Sequence, residues 1–398
     1  MREPVQGCVR ELANAHADRY TLRGDQNWWQ FEPIDNRSLR QQGWKVHVSA
    51  TPTTAVPTLR RVASVVLPRA QRWKVARTVD TLIGLCSPPS PLSQVGKFVT
   101  VYADDDRVSD LAAELHEATK DLDAPVVPSD RRYCRGSNVY LRYGGFSVRS
   151  TYSGADQLRR WAVVDHDGHA TEDTRAAGQF APDWAIRPVL PREWQRHRPG
   201  PGLFGRGIDV LGVLRQSPKG GVYRVRFDGA DAVLKEARIG TSPDILGRDA
   251  RSALRNEWEV LRRLSGTGLA PEPLALFAEE DNAYLIEQFL PGSTVREIVE
   301  RLNYQGPVDP ATLAALSRGV RTLVAAVRAH DVVPYDMTPN NVMVDGDRFV
   351  AIDLEHAGFV GDVEPRFRVW TPGYSPIADI GRSIDSVDVD FRDRKSVV

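Results

Sequence analysis

The pattern of apolar and polar positions changes period along this chain. Trp44, Val46 and Val48 alternate with Lys45, His47 and Ser49, which predicts a half-buried strand. Leu59, Val62 and Val66 recur at helical spacing after Pro57, so a helix is predicted over 57–67. Gly96–Tyr102 reads as a strand. The acidic run Asp104–Asp106 then opens a helix carrying Val108, Leu111 and Leu115. Asn138–Tyr143 is strand-like, with Gly144 and Gly145 as its stop. Further on, Val210–Arg215 and Val222–Phe227 predict two strands around a turn with Pro218, Gly220 and Gly221, and Ala232–Lys235 a third. Leu254, Trp258, Leu261 and Leu264 mark a helix, Tyr284–Phe289 a strand, and Leu313, Leu316, Val320, Leu323 and Val327 a longer helix that ends before His330.

Strands and helices are mixed without a repeat, which predicts an α+β chain of more than one domain. The Pro/Gly-rich run PGPGLFGRG, after Arg196-His197-Arg198, is the natural linker, and Pro291-Gly292 a second break. The expected division is 1–198, a linker over 199–207, and a two-lobed second half, 208–291 and 292–398.

Composition narrows the classes. The 398 residues carry 52 Lys+Arg against 52 Asp+Glu, so no basic excess exists for coating nucleic acid, and no nucleic-acid partner is expected. The three cysteines, Cys8, Cys86 and Cys134, are far apart and form no CxxC pair. That spacing argues against a structural zinc and suits a reducing, cytoplasmic setting. The N-terminus is polar, and the apolar runs are too short to span a membrane, so neither a signal peptide nor a membrane partner is expected.

Chemistry is densest in the second half. In His330-Asp331-Val332-Val333-Pro334-Tyr335-Asp336-Met337-Thr338-Pro339-Asn340-Asn341, an Asp is followed five residues later by an Asn, after a long helix. That is the spacing of a kinase catalytic loop. Asp336 would orient the attacking hydroxyl, and Asn341 would reach a magnesium ion. Asp353, at the end of the strand Phe349–Ile352, would hold the other face of the metal, although Asp353-Leu354-Glu355 replaces the usual Asp-Phe-Gly. Ser217, Gly220 and Gly221 form a turn that would cover the phosphates. Lys235 would neutralise them, Glu257 on the next helix would hold the lysine, and Glu287 falls where a hinge would meet the base. This half resembles the eukaryotic-protein-kinase-like family. Thr371-Pro372-Gly373-Tyr374 is similar to the end of an activation segment. Only 24 residues follow Tyr374, so a short or truncated C-lobe is expected.

In the first half, period two places Lys45 and His47 on one strand face. Lys97 heads another strand, Arg142 lies on a third, and Asp130-Arg131-Arg132 precedes it. Two lysines, a histidine and several arginines suit β-elimination of phosphate, which needs a base, a cation at the developing enolate, an acid for the leaving group and a phosphate anchor. The segments GWKVHVSA, GKFVTVY, SDRRY, VYLRYGGF and LKEARIG resemble the lyase–kinase half of class III lanthionine synthetases, from about Gln42 to Tyr374.

The resemblance implies a phosphothreonine-lyase-like domain followed by a bilobal kinase-like domain. Carried over, Lys97 matches the general base, His47 the general acid and Lys45 the enolate-stabilising cation. Arg142 and one or both of Arg131 and Arg132 match the phosphate site, with Arg175 a further candidate. It implies ATP or GTP with Mg2+ as cofactors and a precursor peptide bound through its leader as partner. It also implies a cyclase-lacking form of the lipolanthine type, in which a separate flavin-dependent decarboxylase or another ring-closing enzyme takes part. Two other readings remain open: a decayed kinase that serves as a leader-binding scaffold, and a lyase that acts on another kinase's phosphopeptide.

Overall fold

A computed structural model describes residues 3–35, 40–88, 90–146, 150–153, 158–173, 180–191, 206–243, 248–279 and 281–362. Arg175, the motif Thr371–Tyr374 and most of the expected linker lie outside the described residues. The chain forms two compact units. The first comprises Met1–Gly202 with Ser217–Gly220 and Arg238–Ala250, and the second comprises Leu203–Gln216, Gly221–Ala237 and Arg251–Val398. The division therefore does not fall at one linker alone.

The first unit begins with α1 (Pro4–Ala15), β1 (Tyr20–Gly24), β2 (Trp28–Pro33), β3 (Gln42–Val48), α2 (Ala55–Val66) and β4 (Trp73–Ala76). It continues with α3 (Val79–Leu85), β5 (Val99–Tyr102), α4 (Val108–Thr119), β6 (Arg131–Arg132) and β7 (Val139–Gly145). The strands form one sheet in the order β1-β2-β4-β5-β3-β7-β6, and every pairing is antiparallel. A smaller sheet has the order β10-β9-β8, from β8 (Ser150–Ser153), β9 (Leu158–Val164) and β10 (Ala170–Glu172).

Helix starts follow local chemistry. Glu3 caps α1, accepting from Gln6 N at 2.7 Å, with Pro in the first turn, and Thr78 caps α3. Alternation along β3 sends Trp44, Val46 and Val48 into a core shared with Leu59, Val62, Leu111 and Leu115. The predicted strand stop is corrected. β7 runs through Gly144 and Gly145, which pair with Gly43 and Gln42. A Cβ on Gly144 would come within 3.0 Å of Asp173 Oδ2, so the glycine serves close approach rather than a turn.

The second unit has β11 (Ile208–Ser217), β12 (Gly220–Phe227), β13 (Ala230–Ala237), α5 (Ala250–Leu264), β14 (Pro273–Glu279) and β15 (Asn282–Gln288). Their sheet order is β11-β12-β13-β15-β14, with β14 added to the strands read from the sequence. β16 (Ser293–Thr294), α6 (Val295–Gln305), α7 (Pro310–Arg328), β17 (Val332–Val333), β18 (Val342–Asp345), β19 (Arg348–Ala351) and β20 (Gly358–Phe359) follow. Thr294 and Glu297 make a reciprocal capping box at α6, and Asp309 caps α7 ahead of Pro310.

The break at Pro291-Gly292 has a steric reason. A Cβ on Gly292 would lie 2.1 Å from Val344 O on β18. Gly292→Ala should therefore destabilise the second unit by about 1–3 kcal/mol or more, read as a lowered denaturation midpoint.

Candidate active sites

In the first unit, register decides which side chains meet. Lys45 pairs with Tyr102 on β5 and with Arg142 on β7, and His47 with Thr100 and Tyr140. Residues directly opposite share a face, so Lys45, His47, Arg142 and Tyr140 stand on the side of the sheet away from the apolar core. Lys97 comes off a turn just before β5, not off the strand itself: Gly96 has φ +75° and Lys97 N donates to Gln94 O at 3.2 Å.

That turn brings Lys97 to a residue the motif pattern passes over. Asp130, whose side chain is fully buried, accepts from Lys97 Nζ on Oδ1 at 2.8 Å, and its Oδ2 lies 2.5 Å from His47 Nδ1. Ser129 Oγ donates to Oδ1 at 2.8 Å. Two expected site residues, from different elements, thus meet on one carboxylate. Burial, reinforced by the Lys97 charge, pulls the His47 imidazole down to about 3 against the pull of Asp130. Burial would raise the Asp130 carboxyl, but Lys97 and His47 outweigh it and hold the group well below the usual carboxylate range. His47 is therefore a neutral imidazole at pH 7.

The arginines separate. Arg142, 4 % exposed, donates to Asp173 Oδ1 at 2.5 Å. Both border a cavity of about 230 Å3, with Tyr143, Glu172 and Asp183 also in its wall. Arg131 and Arg132 are neighbours on β6 and face opposite ways. Arg132 is opposite Tyr140, lies 5.7 Å from its ring centre, and donates from Nε to Ser137 O at 2.6 Å. Arg131 is opposite the core residue Leu141, with its guanidinium 5.1 Å from the Phe180 ring centre. One or both of the two are expected with Arg142; of the pair, Arg132 alone shares the His47 side, because period two cannot aim both together.

In the second unit, Lys235 is the centre. Its Nζ lies 2.7 Å from Glu257 Oε1, 3.2 Å from Glu287 Oε1 and 3.9 Å from Asp353 Oδ1. Glu257 Oε1 also accepts from Leu354 N at 3.0 Å, and Asn256 Nδ2 donates to Glu355 O at 3.0 Å and Ala357 O at 2.7 Å. α5 is thereby tied to the segment after Asp353, which itself adopts a left-handed backbone, φ 58°. Burial depresses the ammonium, yet Glu257, Glu287 and Asp353 together raise Lys235 well above its ordinary value. Burial pushes Glu257 up, to about 8, against the pull of Lys235 and with the help of Glu287.

The catalytic-loop residues also meet. Asn341 Nδ2 donates to Asp336 O at 2.8 Å and Oδ2 at 3.3 Å. Its amide nitrogen is thus committed, and the carbonyl oxygen is the end left for a cation. Asn341 and Asp353 each offer a hard oxygen donor, the kind Mg2+ takes.

Glu287, 4 % exposed, lies with its Oε1 3.2 Å from Lys235 Nζ. In the turn between β11 and β12, Ser217 Oγ donates to Gly220 O at 3.0 Å, and Gly221 N donates to Glu236 Oε2 at 3.1 Å. That N–H is therefore already taken by an acid.

Comparison with known proteins follows these two groupings. Residues 9–200 match the family described as RamC, N-terminal domain. Over 361 residues, 87% of this chain, the sequence is 32% identical to a probable SapB synthase of Streptomyces coelicolor and covers 38% of that protein. Over 145 residues, 36% of this chain, it is 26% identical to the EKC/KEOPS complex subunit Tp53rkb of Mus musculus, covering 57% of it. The chain thus spans less than two thirds of either relative.

Two outcomes test the first site. Asp130→Asn leaves Lys97 without its buried countercharge and should cost about 3–5 kcal/mol of stability, read by denaturant unfolding. The folded His47 binds a proton less readily than the unfolded one, so its contribution is present above pH 6.5 and is lost as pH falls toward 3. Melting of the wild type should drop through that window, and His47→Asn should flatten the slope.

This chain is thus similar to the RamC N-terminal domain over residues 9–200 and to part of a probable SapB synthase over most of its own length.

Proposed function

We propose that this chain is a bifunctional class III-like enzyme: the second unit phosphorylates Ser or Thr of a precursor peptide, and the first expels the phosphate to leave dehydroalanine or dehydrobutyrine. The observation that carries this reading is the meeting of Lys97 and His47 on Asp130, on the sheet face that also bears Lys45 and Arg142.

For phosphorylation, Asp336 orients the peptide hydroxyl and accepts its proton. Asn341 and Asp353 are the residues to hold Mg2+, and Lys235, braced by Glu257, meets phosphate oxygens. A magnesium nucleoside triphosphate, when bound, supplies the phosphoryl group.

For elimination, Lys97 first yields its ammonium proton to solvent, and its free amine then takes the α-proton of the phosphorylated residue. The C–H electron pair becomes the new C=C bond, and the C–O bond to phosphate breaks. Lys45 offsets charge on the enolate oxygen, while Arg142 and Arg132 anchor the phosphate. His47 is neutral before substrate enters, so the proton it hands to the departing phosphate must be taken up with it. A phosphate dianion nearby favours the imidazolium and drives that uptake. Asp130 positions both groups without holding the proton.

Leader binding keeps the phosphorylated intermediate at high effective concentration near the second step.

Mass spectrometry of precursor, nucleotide, Mg2+ and protein tests the reading. Asp336→Asn should abolish phosphorylation but still dehydrate a supplied phosphopeptide. Lys97→Ala should accumulate phosphopeptide. Full dehydration by Lys97→Ala would refute its role as base, and loss of both steps in Asp336→Asn would refute separate sites.

A further inference from the structure

Lys235 is gripped by more acid than holding a lysine for phosphate requires. One carboxylate suffices for that task, and Glu257 supplies it. Glu287 adds a second direct contact from a different element. The sheet imposes this position. Glu287 pairs with Val233 across β13 and β15, and Lys235 is two residues along on the same face.

The two acids are not held alike. Glu257 Oε1 accepts from both Lys235 Nζ and Leu354 N, so it has an anchor besides the lysine. Glu287 meets Lys235 through Oε1; the buried Oε2 of either acid has no hydrogen-bond partner among the described residues, so the backbone bond from Leu354 N is what sets Glu257 apart. Burial raises the Glu287 carboxyl above the ordinary value against the pull of Lys235. When a triphosphate approaches, the lysine has to trade part of its existing coordination for phosphate oxygen. Glu287 is the partner that yields, since Glu257 stays fixed by the backbone.

We propose that Glu287 is a positioning residue that restrains Lys235 and thereby sets the affinity of this site for the phosphates of a nucleotide, not for its base. The proposal rests on the phosphoryl-transfer reading above and deepens it. An uncharged side chain at this position would leave the lysine fully available to the incoming anion.

Isothermal titration calorimetry on the full chain separates the possibilities, with MgATP and with adenosine as ligands. Glu287→Gln keeps the size and a hydrogen-bonding group but removes the charge. It should bind MgATP about tenfold more tightly, the size of one modest charge interaction. Adenosine affinity should stay within about twofold, because no phosphate is present. The tightening should vanish in a Lys235→Ala background, as coupling through that lysine demands.

Unchanged or weaker MgATP binding in Glu287→Gln overturns the proposal. So does an equal shift for adenosine, which would return the residue to the base, or a gain that survives Lys235→Ala. Glu287→Met, of similar length and apolar, is the second variant and should tighten MgATP in the same direction. Failure of both variants to fold would make Glu287 structural and overturn the proposal. Wild-type protein that neither binds MgATP nor labels peptide would remove the phosphoryl-transfer reading itself, and the proposal with it. Wild-type binding with an unmoved Glu287→Gln removes the proposal alone.

Discussion

A charge taken out of water is tolerable only beside its opposite, and both candidate sites are built on that constraint. Asp130 is buried with Lys97 and His47 against it. Lys235 is buried with Glu257 and Glu287 against it. Each cluster is expensive to assemble, and its net worth to stability is small or negative compared with apolar packing. What such a cluster secures is position: groups from separate elements are fixed relative to one another to within a hydrogen bond. Chemistry that needs several side chains at once depends on that kind of placement.

The two clusters have opposite electrostatic balance. Beside Asp130, burial first and the Lys97 charge second keep the imidazole neutral, while Lys97 holds the carboxylate ionised. Around Lys235 the acids secure the ammonium against burial, and burial above all pushes Glu257 and Glu287 upward.

Much of the fold was legible because hydrophobic period survives where one face is buried. β3 could be read from Trp44, Val46 and Val48, and the shared face of Lys45 and His47 followed directly. The Asp336–Asn341 spacing was legible because both residues lie on one short loop. Asp130 was not, because its partners are remote in sequence and only the turn at Gly96 brings Lys97 to it. Glu287 could be placed on a strand but not aimed. Residues 283–287 are all buried, so no polar alternation marks which face the glutamate takes. For Arg131 and Arg132, adjacency in sequence suggested a shared role, and strand geometry sends them to opposite sides.

Asn256 closes the account of the second unit. One side-chain amide holds two backbone carbonyls, Glu355 O and Ala357 O, while the next residue, Glu257, accepts from Leu354 N. Three bonds from consecutive residues on α5 lock it to the stretch that carries Asp353. The helix cannot swing outward and leave that stretch behind. Glu257, which holds Lys235, and the backbone that carries Asp353 are thus tied to one helix.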